Sequence, residues 1–372
     1  MRIAIDIRRI EDFGVGTYIR NLIRTLAVRD AGHEYILLGD PEQAKAAATL
    51  PENFSLVKWN TRSGSFRTHL DFHRLLQDSA ADILHIPYMR VAPLVSCNYL
   101  ITVHDVAEFL YDTGRGFKRN LRYRLVQRAL QRAHRILAVS KATKRDIENL
   151  FGIPASHIIV VENAIDERYI QTSRREERRL VLERYQVNDP FLLYVGSAKP
   201  QKNISRLIEA FAVIKSDLRE HPVFCNLRLL IIGDEISAHP NLRRAVLRTR
   251  MQNDVRFLGF LPIDTLRVFY QSAEVFVFPS LHEGFGLPPL EAMAQGTPVV
   301  TSNVSSLPEV VGDAAVLVNP ENVFDIARGV EQVLLNEDLR EQLRIRGRAQ
   351  LERFSWDRSV SQVLELYADA GP

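Results

Sequence analysis

Short apolar runs alternate with segments of helical periodicity along the first part of the chain. Continuous runs of β-branched and other apolar residues are typical of strands in a parallel sheet that helices cover on both faces. The runs are Ile3 to Ile7, Tyr35 to Leu38, Ile83 to Ile86, Leu100 to Val103, Ile136 to Val139 and Ile158 to Val161. The pattern predicts a doubly wound α/β domain over residues 1–165.

A second series of strands follows a break in this pattern. Residues 166–189 are rich in charge and have no strand-like run, so we expect a linker with a surface helix there. The later runs predict a second Rossmann-like domain over residues 190–353, and a terminal helix at 354–368 that can pack back on the first domain. Two such domains facing across a cleft bind ligands where their strands end. The later runs are Phe191 to Val195, Leu227 to Ile232, Val255 to Leu258, Val275 to Phe278, Pro298 to Thr301 and Ala315 to Val318.

Composition and charge narrow the class of protein. With 372 residues, of which 46% are hydrophobic and 25% charged, the chain is ordinary globular material for two domains. A net charge of +3 is too small to predict a nucleic-acid partner. No apolar stretch approaches the roughly 20 residues of a membrane-spanning helix. Cys97 and Cys225 lie far apart and outside any metal-binding spacing, so we expect no zinc site and a cytoplasmic location, free or at the inner face of the membrane.

One segment of the first domain is strongly basic. Residues 114–145 contain no Asp or Glu, and their arginines are interleaved with Leu121 and Leu125 at helical spacing. This pattern favours either a solvated helical face or a surface for anionic lipid head groups or a phosphate-bearing acceptor. The candidate residues for contact with the acceptor or the membrane are Arg115, Lys118, Arg119 and Arg122.

Two loops have the composition of anion-binding sites. Gly14 and Gly16 follow the first strand and open a helix, where bare backbone N–H groups and the helix dipole favour an anion. A third glycine of the dinucleotide fingerprint is missing, which disfavours a nicotinamide cofactor, and a simple tight turn remains the alternative. In the second domain, Lys202 precedes a helix and is the leading candidate for a phosphate ligand, with plain solvent exposure as the alternative.

A third loop carries two carboxylates. Glu283 lies in a glycine loop with Gly284 and Gly286, and Glu291 follows on the helix that Pro288 and Pro289 begin. Carboxylates in such a position can accept hydrogen bonds from sugar hydroxyls.

The run from Glu283 to Glu291 resembles the paired-glutamate signature of the retaining glycosyltransferases of family 4, which have the GT-B fold. Further similar segments occur in the family's order along nearly the whole chain, and the glycine loop at residues 14–16 belongs to the set. These segments are Val139-Ser140, residues 161–166, residues 196–203, residues 207–211, residues 294–300 and residues 306–309.

The resemblance implies a role for individual residues. Glu291 would hold the ribose hydroxyls, Glu283 the hydroxyls of the donor hexose, and Lys202 the diphosphate. His104, at the end of a first-domain strand, matches the family's active-site histidine, although a lone histidine there is more often structural. Departing from the family pattern, Gln201 precedes Lys202, which leaves the second cation open between Lys199 and Arg206. Other donor-binding residues implied by the resemblance are Gly14, Gly16, Gly196, Ser197, Lys199, Asn203, Gly284, Phe285, Gly286 and Leu287.

The expected reaction is transfer of a hexose from a nucleotide diphosphate donor to a glycan or lipid-linked acceptor, with retention of configuration. The absence of an Asp-x-Asp pair predicts that no metal is needed, and we expect no other cofactor. A mannose-like hexose is favoured, from GDP-mannose or a UDP-sugar, because a proline stands before the Lys-Asn pair as in members that use GDP-mannose.

Two other classes share this architecture. A non-hydrolysing nucleotide-sugar epimerase would convert the donor without an acceptor, and an inactive nucleotide-sugar-binding protein could serve as a subunit in polysaccharide assembly. The presence of Glu283, Glu291, Lys202 and His104 together argues against the inactive protein, and incubation with the donor alone distinguishes the epimerase.

Overall fold

The computed structural model describes residues 1–12, 14–59, 66–89, 95, 97–111, 117–234 and 236–371, without the side chains of residues 66–69, 117, 118 and 238. The chain forms two compact units. Unit 1 combines Met1–Ala164 with Ser355–Pro372, and unit 2 is Ile165–Phe354. Residues 166–189, which the sequence predicts as a linker, therefore belong to unit 2.

Unit 1 is built on a parallel sheet of seven strands among the described residues. They are β1 (Arg2–Asp6), β2 (Glu34–Gly39), β3 (Phe54–Lys58), β4 (Ile83–Ile86), β5 (Asn98–Val103), β6 (Arg135–Ala138) and β7 (Ile158–Val160). They pair in the order β3-β2-β1-β4-β5-β6-β7. The direction of the strand order reverses between β1 and β4, where sheets of this kind bind ligands.

Helices cover this sheet. They are α1 (Val15–Arg29), α2 (Pro41–Ala47), α3 (Phe66–Ser79), α4 (Ala107–Leu110), α5 (Phe117–Arg132), α6 (Lys141–Phe151) and the C-terminal helix (Trp356–Ala370). The C-terminal helix packs against α1, and its Tyr367 hydroxyl lies 2.7 Å from Nδ1 of the buried His85. The last residues of the chain thus complete the core of unit 1.

Strand β3 is the strand of this sheet that the apolar runs do not predict. It lies at the sheet edge and pairs only with β2 among the described residues. Phe54 is buried while Ser55 is exposed, so the apolar positions are interrupted. An edge strand that is covered on one face needs no continuous apolar run.

Unit 2 repeats the architecture with six parallel strands among the described residues. They are β8 (Phe191–Gly196), β9 (Arg228–Gly233), β10 (Val255–Gly259), β11 (Val275–Phe278), β12 (Val299–Ser302) and β13 (Ala315–Val318). The order is β10-β9-β8-β11-β12-β13, with the reversal between β8 and β11. The prediction of two doubly wound Rossmann-like sheets is confirmed.

The helices of unit 2 are α7 (Arg175–Arg184), α8 (Ile204–Asp217), α9 (Pro240–Thr249), α10 (Ile263–Ser272), α11 (Leu287–Ala294), α12 (Leu307–Val311), α13 (Val323–Leu335) and α14 (Glu337–Leu351). Strand β11 is completely buried because Val275, Phe276, Val277 and Phe278 are all apolar and both faces of the sheet are covered. The loops at its carboxyl end carry the residues described next.

Candidate active site

The ends of β8 and β9 approach each other without room for a side chain. Gly196 and Gly233 have φ values of 153° and 144°, and a Cβ at Gly233 would lie 2.0 Å from the carbonyl oxygen of Gly196. The Ala198 N–H donates to Asp234 Oδ2 at 2.8 Å, and the Tyr194 hydroxyl donates to the Ser197 carbonyl at 3.1 Å. The turn after β8 is therefore fixed, with bare backbone at the strand ends.

Lys202 ends a single 3-10 turn, Pro200–Lys202, and points to Glu283. Its Nζ lies 2.6 Å from Oε1 and 2.7 Å from Oε2 of Glu283, and 5.3 Å from the centre of the Phe278 ring. The side chains of Lys202 and Glu283 are only 18% and 10% exposed. The two residues that the sequence assigns to the diphosphate and the hexose thus form one ion pair, which brings together positions 81 residues apart.

Asn203 holds the loops rather than pointing outward. Its backbone is left-handed, with φ of 60°, and its Nδ2 donates to the carbonyls of Pro279 at 3.0 Å and Pro320 at 2.7 Å. Its Oδ1 accepts from Arg206 Nη1 at 3.1 Å. The side-chain amide of Asn203, which the resemblance predicts to bind the sugar donor, therefore joins three loops instead. Arg206, a candidate for the second cation at the diphosphate, is hydrogen-bonded to the same amide.

Two serines after β12 hold the loop that carries Glu283 by hydrogen bonds to its backbone. Ser305 Oγ donates to the Glu283 carbonyl at 2.7 Å and accepts from the Glu283 N–H at 3.1 Å. Ser306 Oγ lies 3.0 Å from the Glu283 carbonyl and 2.7 Å from the Phe285 carbonyl. The loop ends at Gly286, the residue before α11, and no side chain caps the start of that helix. Its position leaves the positive end of that helix beside Glu283 and Phe285.

Glu291, on α11, accepts hydrogen bonds from two tyrosines. The Tyr270 hydroxyl lies 2.8 Å from Oε2, and Tyr169 also bonds to the carboxylate. Removal from water is the largest effect and raises the pKa of Glu291 to about 7, against the lowering effect of both tyrosine bonds. Glu291 is therefore a carboxyl group that changes its charge near neutral pH while two donors hold it in place.

In unit 1, His104 follows β5. Its Nε2 lies 3.0 Å from the Pro87 carbonyl, and its ring meets the edge of Tyr18 with centroids 5.0 Å apart. Burial is the largest cause that lowers the pKa of His104, to about 4, so the ring is neutral at pH 7. Because a carbonyl can only accept, Nε2 carries the proton and Nδ1 keeps a lone pair. Asp105 does not share this bond; its Oδ1 accepts from the Ala107 N–H at 2.9 Å.

The glycine loop of unit 1 has a packing reason. Gly14 precedes α1 with φ of 65°, and a Cβ at Gly16 would lie 2.4 Å from the Ile10 carbonyl oxygen. The Gly16 N–H donates to the Asp12 carbonyl at 2.9 Å. These contacts support the tight-turn interpretation of Gly16, and its place beside a phosphate stays a prediction.

Comparison with known proteins places this geometry in a family. The profile described as "Glycosyltransferase Family 4" matches residues 14–169, and that of "Glycosyl transferases group 1" matches residues 181–350. The O-antigen chain mannosyltransferase B of Escherichia coli is 36% identical over 270 residues, which are 72% of this chain and 69% of that protein. This chain is a family 4 glycosyltransferase. The resemblance seen in the sequence is thereby confirmed.

Two further comparisons define the extent of the likeness. The serotype-specific mannosyltransferase WbdA of Escherichia coli is 31% identical over 271 residues, and this chain matches only 32% of its length. The structure of Anabaena HepE in complex with UDP and glucose superposes with a TM-score of 0.79 over 99% of this chain and all of that one, at 16% identity. The second likeness shows the fold alone, and the predicted GT-B fold is confirmed.

The basic segment of the glycosyltransferase is only partly available for contacts. Arg115 lies outside the described residues, as does the side chain of Lys118. Arg119 donates to the Phe109 carbonyl at 3.3 Å, and Arg122 pairs with Glu108 at 2.5 Å. Two of the four arginine and lysine candidates therefore attach α5 to α4.

Other residues of this glycosyltransferase that shape the site have no motif of their own. Tyr169, Tyr270, Ser305 and Ser306 touch the two glutamates or their backbone, yet none was identified from the sequence. The one signal was the position of Ser306 in a segment that resembles the family.

Within the described ranges, no cluster of three His, Cys, Asp or Glu side chains suits a metal ion, and no helix there has the length and apolar character to cross a bilayer.

Proposed function

We propose that this glycosyltransferase transfers a mannose-like hexose, from GDP-mannose or a UDP-sugar, to a glycan or lipid-linked acceptor in polysaccharide synthesis. The observation that carries the proposal is the Lys202–Glu283 pair in a fixed loop, with Glu291 on the helix that follows. The relatives named as mannosyltransferases support the choice of sugar. In this assignment Lys202 binds the diphosphate, Glu283 the hexose and Glu291 the ribose.

The chemistry needs positive charge where the diphosphate leaves. Breaking the bond between the sugar and the phosphate builds negative charge on the leaving group and positive charge on the anomeric carbon. Lys202 and the start of α11 supply positive charge for the leaving diphosphate. Lys199, exposed in the same loop, is a further cation. No metal is assigned a role in this scheme, and retention follows if the leaving phosphate itself takes the proton of the acceptor hydroxyl.

His104 is assigned to orientation rather than proton transfer. A pKa of about 4 makes it a weak base, and its Nε2 proton is already bonded to the Pro87 carbonyl. Its Nδ1 can accept a hydrogen bond from a hydroxyl of the transferred hexose. Precise placement of a reacting sugar accounts for a large share of the rate in such sites.

The donor is tested first by binding and then by turnover. Thermal-shift measurements with UDP, GDP and ADP, and with their sugars, identify the nucleotide, because a ligand of the folded state raises its apparent stability. The preferred donor is then incubated with a mannan fragment, with and without EDTA, and the product is examined by NMR. We expect a lengthened glycan with the donor's anomeric configuration and an unchanged rate in EDTA. Conversion of the donor in the absence of any acceptor would instead identify an epimerase.

We also propose that α5 places unit 1 on an anionic membrane. Arg124, Arg128 and Arg132 are exposed on this helix, and Leu121 and Leu125 are 46% and 40% exposed beside them. Exposed leucines among arginines fit the boundary between lipid head groups and acyl chains. A lipid-linked acceptor would be met at that surface.

Vesicle sedimentation tests this surface. Each arginine near an anionic bilayer contributes about 1 kcal/mol, so Arg124→Glu with Arg128→Glu should weaken binding to phosphatidylglycerol vesicles at least about thirtyfold. The matched control reverses Arg243 and Arg244, which are exposed on α9 of unit 2. Equal loss in both double variants, or equal binding to neutral phosphatidylcholine vesicles, would contradict a specific α5 surface.

A further inference from the structure

Three neighbouring strand ends of unit 1 meet at the point where the strand order reverses. Asp6 ends β1, Pro87 and Tyr88 follow β4, and His104 follows β5. Because β1, β4 and β5 are adjacent and parallel, these residues lie at one edge of the sheet. Residues at such an edge are placed where ligands of doubly wound sheets bind.

Asp6 is the centre of a buried polar network. The carboxylate is 1% exposed, and its Oδ1 accepts from Arg8 Nε at 2.8 Å while its Oδ2 accepts from Arg8 Nη2. The Tyr88 hydroxyl donates to the same Oδ2 at 2.6 Å, and Tyr88 is 3% exposed. The guanidinium of Arg8 lies over the ring of Phe72, 5.4 Å from its centre. The charges of Asp6 and Arg8 are therefore balanced within the core, and Tyr88 is fastened to them.

This network reaches His104 through one peptide. Tyr88 is bonded to Asp6, and the residue before it, Pro87, offers the carbonyl that accepts the His104 Nε2 proton at 3.0 Å. The pyrrolidine ring fixes the backbone φ angle of Pro87. The hydrogen bond from the Tyr88 hydroxyl to Asp6 holds the next residue in place. The position of the Pro87 carbonyl, and with it the tautomer of His104, depends on both.

We propose that Tyr88 and Asp6 are positioning residues, which hold the Pro87 carbonyl so that His104 keeps its proton on Nε2 and presents an unprotonated Nδ1. Neither residue touches the reacting atoms in this scheme; both act through His104. The proposal rests on the function proposed for His104, since the tautomer matters for turnover only if that ring contacts the hexose. The tautomer itself can be measured without any substrate.

The choice of variant follows from the network. Replacing Asp6 or Arg8 would leave an unpaired buried charge, and such changes commonly unfold a protein. Tyr88→Phe removes one hydroxyl and leaves the Asp6–Arg8 pair intact. The matched control is Tyr99→Phe, because Tyr99 is also buried in unit 1 and its hydroxyl also makes one bond, to the Ala129 carbonyl at 2.8 Å.

Nitrogen-15 NMR of the full chain, with the His104 signals assigned by their loss in His104→Ala, reports which ring nitrogen carries the proton. We expect a single Nε2–H tautomer in the wild type and in Tyr99→Phe, and a mixture of tautomers in Tyr88→Phe. With the donor and acceptor established by the earlier assay, kcat should fall about ten- to a hundredfold in Tyr88→Phe, because small displacements of a positioning group have effects of that size. The donor KM should change by less than about twofold, since Lys202, Glu283 and Glu291, which hold most of the donor in this scheme, are untouched.

Each outcome decides one point. An unchanged Nε2–H tautomer in folded Tyr88→Phe would overturn the proposal, even if the melting temperature falls, since that fall alone is a structural effect. A mixed tautomer with unchanged kcat would overturn the catalytic part of it. Full activity in His104→Ala would instead refute the role of His104 in the proposed function, and the NMR result would still decide whether Tyr88 sets the tautomer.

Discussion

Replacement of Glu283 by Gln should separate binding of the nucleotide from transfer of the sugar. In the structure both carboxylate oxygens of Glu283 lie within 2.7 Å of Lys202 Nζ, in surroundings that leave little water. A diphosphate that binds Lys202 must therefore share this cation with a negative charge. Glutamine keeps the shape of the side chain and removes that charge.

The size of the effect follows from Coulomb's law. If a phosphate lies about 7 Å from the Glu283 carboxylate, the repulsion between two unit charges is about 2 kcal/mol at an effective dielectric constant of about 20. Removing it should tighten the binding of free GDP or UDP about ten- to thirtyfold. Turnover should change in the opposite direction, since a sugar hydroxyl loses a charged acceptor worth about 1.5–3 kcal/mol, and kcat should fall at least about tenfold.

Titration calorimetry with the free nucleotide and kinetics with the sugar donor measure the two effects in the same variant. Glu274→Gln is the matched control, because Glu274 also pairs with a cation in unit 2, Arg340 at 3.5 Å, but precedes β11 at the other edge of the sheet. Glu274→Gln should change neither the affinity for the free nucleotide nor kcat with the sugar donor. Weaker nucleotide binding in Glu283→Gln, with the fold intact, would show that the carboxylate positions Lys202 rather than competing for it, and would refute the reasoning.

The remaining predictions concern three single residues. Donor affinity should rise between pH 6 and 8, because the pKa of Glu291 is raised to about 7 and the ionised carboxylate accepts ribose hydroxyls with both oxygens and more strongly than the protonated acid; calorimetry should find no such rise in Glu291→Gln. Protein stability should change in the opposite direction to donor affinity, because the folded state holds the Glu291 proton more tightly than the unfolded state does. The contribution of Glu291 to the free energy of unfolding, complete below pH 4.5, should therefore be lost as the pH rises past 7. Ser306→Ala should lower the free energy of unfolding by about 1–3 kcal/mol in urea titrations, because the Phe285 carbonyl loses its side-chain donor, whereas the Glu283 carbonyl keeps Ser305. Gly16→Ala should cost about 1–3 kcal/mol in the same assay through its clash with the Ile10 carbonyl, whereas Gly32→Ala, with 3.4 Å of space, should cost less.

The sheets could be predicted from the sequence, whereas the surroundings of the glutamates could not. Strands such as β8 and β11 are continuous apolar runs, which are typical of a parallel sheet buried on both faces. The apolar runs do not predict the strand at Phe54–Lys58, because its apolar positions are interrupted by exposed polar ones. The positions of Glu283 and Lys202 follow from motifs, but their direct pairing depends on a contact across 81 residues.

The raised pKa of Glu291 could not be predicted for the same reason. Tyr169 and Tyr270 read as ordinary buried aromatic residues in the sequence, and they become hydrogen-bond donors only because the fold places them beside that carboxylate. Likewise, α7 lies where the sequence predicts a surface helix within a linker, but its packing against α10 depends on residues distant in the chain. Long-range pairing, rather than local propensity, determined each of these features.

The contact between the ends of β8 and β9 limits how the enzyme can be altered. With 2.0 Å between a hypothetical Cβ at Gly233 and the Gly196 oxygen, every amino acid other than glycine is closed to position 233 unless the backbone moves. Libraries that aim at a new donor should therefore leave Gly196 and Gly233 untouched. They should vary instead the side chains around this rigid turn, among them Ser197 and Lys199, where size and charge can change without displacing a strand.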